Sequence, residues 1–144
     1  MADLAEYADP QLLDDPRTAH LVLTAAEFSD DAETIDGLAR SNVTAGVLRK
    51  IARNPATAGH TLEYLIDIDQ RSMTYPVTRR TDVTAGFIDR IARRLTDRTA
   101  IYHASSAACA SEETLRYLAA HPSAPPATAE QVAERLGTAA PAAA

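Results

Sequence analysis

Residues 42–53 read NVTAGVLRKIAR and residues 82–93 read DVTAGFIDRIAR, sharing seven of twelve positions at an offset of 40. Each stretch holds a threonine, Thr44 or Thr84, with apolar residues four and seven positions further on. These are Leu48 and Ile51 in the first and Ile88 and Ile91 in the second. A threonine hydroxyl accepts a hydrogen bond from the free N–H groups that open a helix. The fourth and seventh positions after it then lie on one face. Both stretches therefore read as short capped helices with one apolar side.

The same pattern recurs along the chain. Asp31 precedes Ile35 and Leu38, and Ser111 precedes Leu115 and Leu118. Thr57 and Thr128 open similar segments with the second apolar residue slipped by one, at Leu65 and Leu136. Thr18 fits more loosely, with Val22 and Ala25. Thr18, Asp31, Thr44 and Thr57 follow one another at intervals of 13 residues, and Thr57, Thr84 and Ser111 at intervals of 27. Each longer gap holds a weaker start, Ser72 or Thr74 in one and Asp97 in the other. A helix of about 8–10 residues and a turn of about 3–5 fill such a unit. No stretch alternates as a strand pair does. A helix this short cannot bury its face alone, and stacked repeats solve that problem by sharing a continuous core.

Two further repeats agree. PATAGHTLEYL at 55–65 and PATAEQVAERL at 126–136 share PATA and the final leucine. HTLEYL at 60–65 and ETLRYL at 113–118 share four of six positions. The segment Asn54-Pro55-Ala56-Thr57 followed by Leu62 and Leu65, and Pro126-Ala127-Thr128 followed by Val132 and Leu136, resemble the leucine-rich repeat variant family. The resemblance covers about residues 18–136. It implies a right-handed superhelix of short helices, akin to HEAT and armadillo arrays. Ala58 and Ala129 stand where that family has a second proline, and the chain lacks the cysteines that hold an iron–sulfur centre in some members. The family has no single activity, so the resemblance bears on fold.

The expected fold is thus all-α: a right-handed α-solenoid of about eight or nine short helices in ~13-residue units. It forms one domain over 1–136, with an acidic N-terminal cap at 1–17 and a disordered alanine-rich tail at 137–144. The 27-residue spacing favours a two-helix repeat and the 40-residue offset a three-helix repeat, and both stay open on sequence.

The chain has 144 residues, enough to fold without metal or disulfide. A lone cysteine, Cys109, excludes an internal disulfide and a cysteine metal cluster. No apolar run approaches the length of a membrane span, and MADLAEYADP lacks the pattern of a signal peptide. A reducing, cytoplasmic setting is expected. The alanine- and arginine-rich, lysine-poor composition suits a high-GC bacterial or bacteriophage gene. Net charge is −6 but unevenly spread. Residues 1–37 hold ten acids and one base, whereas residues 38–98 hold eleven bases and six acids.

Those bases supply the candidate site. Arg40, Arg53 and Arg93 each stand nine residues after a cap, at a helix C-terminus where the dipole favours cations. With Arg49, Lys50, Arg90 and Arg94 they form a candidate ridge, which Arg79, Arg80 and Arg98 extend. Arginine is a frequent hot spot at protein interfaces, and such a ridge also suits phosphates. A pI near 5.1, the overall negative charge and the absence of tryptophan weigh against nucleic acid.

Other reactive residues carry less. His20, His60, His103 and His121 lack the spacing of a helical metal site. Cys109 sits among small apolar residues and reads as packing, even with His103 nearby. Ser105 and Ser106 lack a nucleophile-elbow context. Asp67 and Asp69 pair acids at a helix end, and Tyr64, Tyr102 and Tyr117 read as rim or core-edge residues. Tyr75-Pro76 reads as interrupting or ending a helix.

The expected function is that of a non-enzymatic adaptor, without cofactor or metal, that presents a curved surface to a protein partner as a monomer or homodimer. The alternative is nucleic-acid binding through residues 38–98, similar to HEAT-like DNA glycosylase scaffolds. That alternative needs a catalytic acid from Asp67, Asp69 or Asp89.

Overall fold

A computed structural model describes residues 15–138, and among these the chain is all-helical, with no strand. The helices are α1 (Pro16–Phe28), α2 (Ala32–Arg40), α3 (Ala45–Arg53), α4 (Gly59–Ile68), α5 (Gln70–Thr78), α6 (Ala85–Ala92), α7 (Arg98–Ser105), α8 (Glu112–Ala119) and α9 (Pro126–Leu136). The chain divides into two compact units, residues 1–65 and 66–144, with the boundary inside α4. Most of the acidic cap expected at 1–17 and most of the tail expected at 137–144 lie outside the described residues.

The caps read from sequence open their helices at Asp31, Thr44, Thr84, Asp97 and Ser111. The Thr84 hydroxyl accepts from the Phe87 N–H at 3.1 Å, and Asp97 accepts from Ala100 at 2.9 Å. Four starts differ. Asp15, not Thr18, caps α1, and Thr18 is buried inside the helix. Asp69, not Ser72 or Thr74, caps α5. Carboxylates are stronger acceptors than hydroxyls at the positive end of a helix. Thr57 is buried before α4 and donates to the Ile51 carbonyl at 2.6 Å. Thr128 lies inside α9, because Pro125 and Pro126 start that helix earlier. Proline has no N–H to satisfy and a pre-set φ at the first helical position.

Pro76 is a further correction, since α5 runs through it to Thr78. An interior proline costs a backbone hydrogen bond. Here Met73, Pro76 and Val77 are all buried and the helix packs along α7. The Thr78 hydroxyl also donates to the Thr74 and Tyr75 carbonyls at 2.8 and 3.1 Å. Burial and side-chain hydrogen bonding together hold the turn.

Within each unit, helices two apart in the chain pack side by side. In the first unit α3 lies against α1, around Val22, Ala26, Ile51 and Ala52. In the second, α5 packs on α7, α7 on α9 and α6 on α8, with Met73, Ile88, Ile101 and Leu118 buried. Polar side chains pin these pairs. Buried Asn54, after α3, donates to the Ala26 and Ser29 carbonyls at the end of α1, at 3.0 and 2.9 Å. Arg135 of α9 donates to the Ser105 and Ala107 carbonyls at the end of α7, at 2.7 and 2.9 Å. Gln70 at the start of α5 accepts from the Thr96 and Asp97 N–H groups before α7, at 2.8 and 3.0 Å. In the second unit neighbours in the chain also pack, α7 on α8 and α8 on α9. Gly137, at φ 67°, closes α9 in the left-handed region that glycine enters without strain.

Candidate binding site

One constellation occurs in both units. In the first, Asp36 on α2 accepts the Thr61 hydroxyl of α4 through Oδ1 at 2.6 Å and Arg40 Nε through Oδ2 at 2.9 Å. The Arg40 guanidinium lies over the Tyr64 ring, 4.3 Å from its centroid. In the second unit, Asp89 on α6 accepts the Thr114 hydroxyl of α8 through Oδ1 at 2.8 Å and Arg93 Nε through Oδ2 at 3.1 Å. Arg93 lies over the Tyr117 ring at 4.8 Å. Asp36, Arg40, Thr61 and Tyr64 match Asp89, Arg93, Thr114 and Tyr117 residue by residue at an offset of 53.

Each part follows from its place. Aspartate and arginine at i and i+4 are neighbours on a helix surface. The threonine is buried, so its hydroxyl requires a partner, and the aspartate of the adjacent helix supplies it. Tyrosine three residues on then offers its face to the guanidinium, a favourable cation–π placement. Burial pushes the Asp36 carboxyl up, but hydrogen bonds from Thr61 and Arg40 and the Arg40 charge outweigh it and hold the group below its ordinary value. Asp89 is lowered chiefly by the bond from Arg93 and then by that from Thr114. Its own bond to Asp89 raises the Arg93 guanidinium. One neighbour differs between the copies. His60 stands 3.4 Å from Asp36, and its counterpart Glu113 stands 3.2 Å from Arg93.

The two arginines are each fixed on one side and open on the other, with side chains 47% and 45% exposed. The remaining sequence candidates are less alike. Arg49 and Arg53 are exposed on α3, and Lys50 pairs with Glu27 at 3.2 Å. Arg90 lies 5.7 Å from the Phe87 ring centroid, and Arg94 pairs with Asp67. Arg80 is held by Asp82 at 2.8 and 2.6 Å. Read from sequence, Asp89 is only a candidate catalytic acid, and Asp36, Thr61 and Thr114 are not singled out. Their signal was present, since Asp-x-x-Ala-Arg is followed at the same distance by Thr-Leu-x-Tyr-Leu in both places.

Other reactive groups are dispersed. His103 packs edge-on against Tyr75 with ring centroids 5.0 Å apart, and burial holds its imidazole below the ordinary range against the pull of Asp97. His121 accepts from the Ser123 N–H through Nδ1 at 3.0 Å. Cys109 is half-buried in a groove of about 410 Å³ shared with Thr78, Arg79 and Arg80. Asp67 is taken by Arg94, and Asp69 caps α5. Among the described residues no three histidines, cysteines or carboxylates gather as metal ligands, and no helix is long and apolar enough to cross a membrane. Set against known protein families, curated proteins and solved structures, the chain matches none of them.

Proposed function

We propose that the chain is a non-enzymatic helical-repeat binding protein, a right-handed α-solenoid of leucine-rich repeat variant character, that holds a protein partner through Arg40 and Arg93. The observation that carries this reading is the duplicated Asp–Arg–Thr–Tyr constellation. Arginine and tyrosine are enriched among interface hot spots. A guanidinium already held by a carboxylate and an aromatic face loses little freedom when a partner binds. The packing of α1 on α3, of α5 on α7 and of α7 on α9 supports the solenoid. Against nucleic acid stands the pairing of four of the candidate cations, Arg40, Lys50, Arg93 and Arg94, with carboxylates of the chain itself. Neutralised cations release few counterions from a phosphate backbone.

The test is affinity capture from the source cell with intact bait and with Arg40→Ala/Arg93→Ala bait. A protein retained by the intact bait after nuclease treatment and lost from the variant supports the reading. Nucleic acid recovered by the intact bait, or a protein captured equally by both baits, overturns it.

A further inference from the structure

A different surface of the second unit shows its own repetition. Helices α5 and α7 run side by side in the same direction. Gln70 and Arg71 meet Asp97 at their N-terminal ends, and Tyr75 meets His103 further along. This register places Arg71 with Arg98 and Tyr75 with Tyr102, both at an offset of 27. Arg71 and Tyr75 on α5 and Arg79 at its C-cap are exposed at successive intervals of four, as are Arg98 and Tyr102 on α7. The tyrosines are 45% and 36% exposed. Arg79 stands 5.8 Å from the Tyr75 ring centroid, and His103 bridges the two tyrosines at 5.0 and 5.9 Å.

The charge of this face is one-sided. Neither helix contains a carboxylate, and the nearest acids along the chain are the caps Asp69 and Asp97. Asp97 reaches Arg71 only at 4.0 Å. Arg79 and Arg98 have no ion-pair partner among the described residues. The C-terminal end of the face opens into the groove lined by Thr78, Arg79, Arg80, Val83 and Cys109.

We infer that the α5–α7 face is a second binding surface, and that it takes an extended acidic peptide segment of a partner protein. Arginines on the two neighbouring helices supply charge and donors for carboxylates. The tyrosines between them supply rigid apolar area at low entropic cost. A peptide fits better than single-stranded nucleic acid, because stacked bases need open aromatic faces. Here Arg79 and His103 already lie against Tyr75. This surface uses none of the residues of the duplicated constellation, so it stands or falls separately from the function proposed above.

The experiment is a titration of the isotope-labelled full chain, followed by NMR, with a peptide of alternating glutamate and leucine and separately with oligouridylate. The expected result is peptide-induced shifts centred on Arg71, Tyr75, Arg79, Arg98 and Tyr102. In Arg79→Ala/Arg98→Ala, affinity falls roughly tenfold or more, the loss expected on removing hot-spot residues. Arg40→Ala/Arg93→Ala binds the peptide as the intact chain does. The spectrum of each variant reports at the same time whether it is folded. Absence of peptide binding, shifts centred elsewhere, unchanged affinity in Arg79→Ala/Arg98→Ala, or tighter binding of oligouridylate to this face overturns the inference.

Discussion

The Thr61 hydroxyl donates to Oδ1 of Asp36 across 2.6 Å and so ties α4 to α2. Thr114 and Asp89 repeat the bond between α8 and α6 at 2.8 Å. Both threonines are fully buried, and each donates its hydroxyl proton to its aspartate. The Thr114 hydroxyl also accepts from Ser111 Oγ at 3.0 Å. Thr61→Val and Thr114→Val keep the shape and remove the donor. Each is expected to cost about 1.5–3 kcal/mol, the range for a lost hydrogen bond to a charged acceptor. Urea midpoints measure this, and midpoints equal to that of the intact chain would refute it.

Thr128 offers the opposite case. It too is fully buried, but its hydroxyl has no hydrogen-bond partner among the described residues. A buried polar group without a partner carries a desolvation cost and no return. Thr128→Val is therefore expected to be neutral or stabilising by about 1 kcal/mol. A clear loss of stability in thermal or urea unfolding would show that the hydroxyl is satisfied in solution.

Asn54 holds three backbone groups at once: the Ala26 and Ser29 carbonyls and the Ala56 N–H. Asn54→Ala strands them in a site that is 3% exposed. The expected cost is about 2–4 kcal/mol. Hydrogen exchange should quicken first at the ends of α1 and α3, and uniform quickening across the chain would argue against a local staple.

Acid should weaken the same constellation. Asp36 and Asp89 are both held below their ordinary value of 3.8 when folded. As pH falls, the unfolded chain takes up these protons first. The stabilisation is present above the unfolded value and is lost as pH falls below it and through the lower folded values. Asp36→Asn/Asp89→Asn should flatten this limb in a series of unfolding midpoints. An acid limb as steep as that of the intact chain would remove these two groups as its source.

His103 contributes at higher pH. Burial lowers its folded value below 6.5, so the unfolded chain binds the proton more readily. The contribution is complete above 6.5 and is lost as pH falls through the folded value. His103→Phe keeps a ring against Tyr75 and should lessen the loss of stability below neutrality. Direct NMR titration of His103 at or above 6.5 would contradict the assignment.

Local rules made the helices legible. Short helices end where caps and small residues dictate, and cap and apolar stripe lie within a few residues of one another. Thr44, Thr84, Asp97 and Ser111 could therefore be read one turn at a time, and the all-helical class followed. The same rules misread Thr18, Thr57 and Thr128. A buried threonine inside a helix or turn and a threonine at its start carry the same apolar neighbours. Pro76 was misread because its preference for ending a helix is local, whereas burial along α7 is not.

The sequence by itself determined the helical class, most of the caps, the uneven charge and the arginines at helix ends. These depend on hydrogen bonds and dipoles that span a single turn. Only the tertiary structure decided which arginines form a matched pair, because Asp36 meets Thr61 and Asp89 meets Thr114 across 25 residues of chain. It also decided that Tyr75 and Tyr102 face solvent beside Arg79 and Arg98. Such contacts arise when one helix stacks on the next but one, and the spacing of residues along either helix alone does not contain that register.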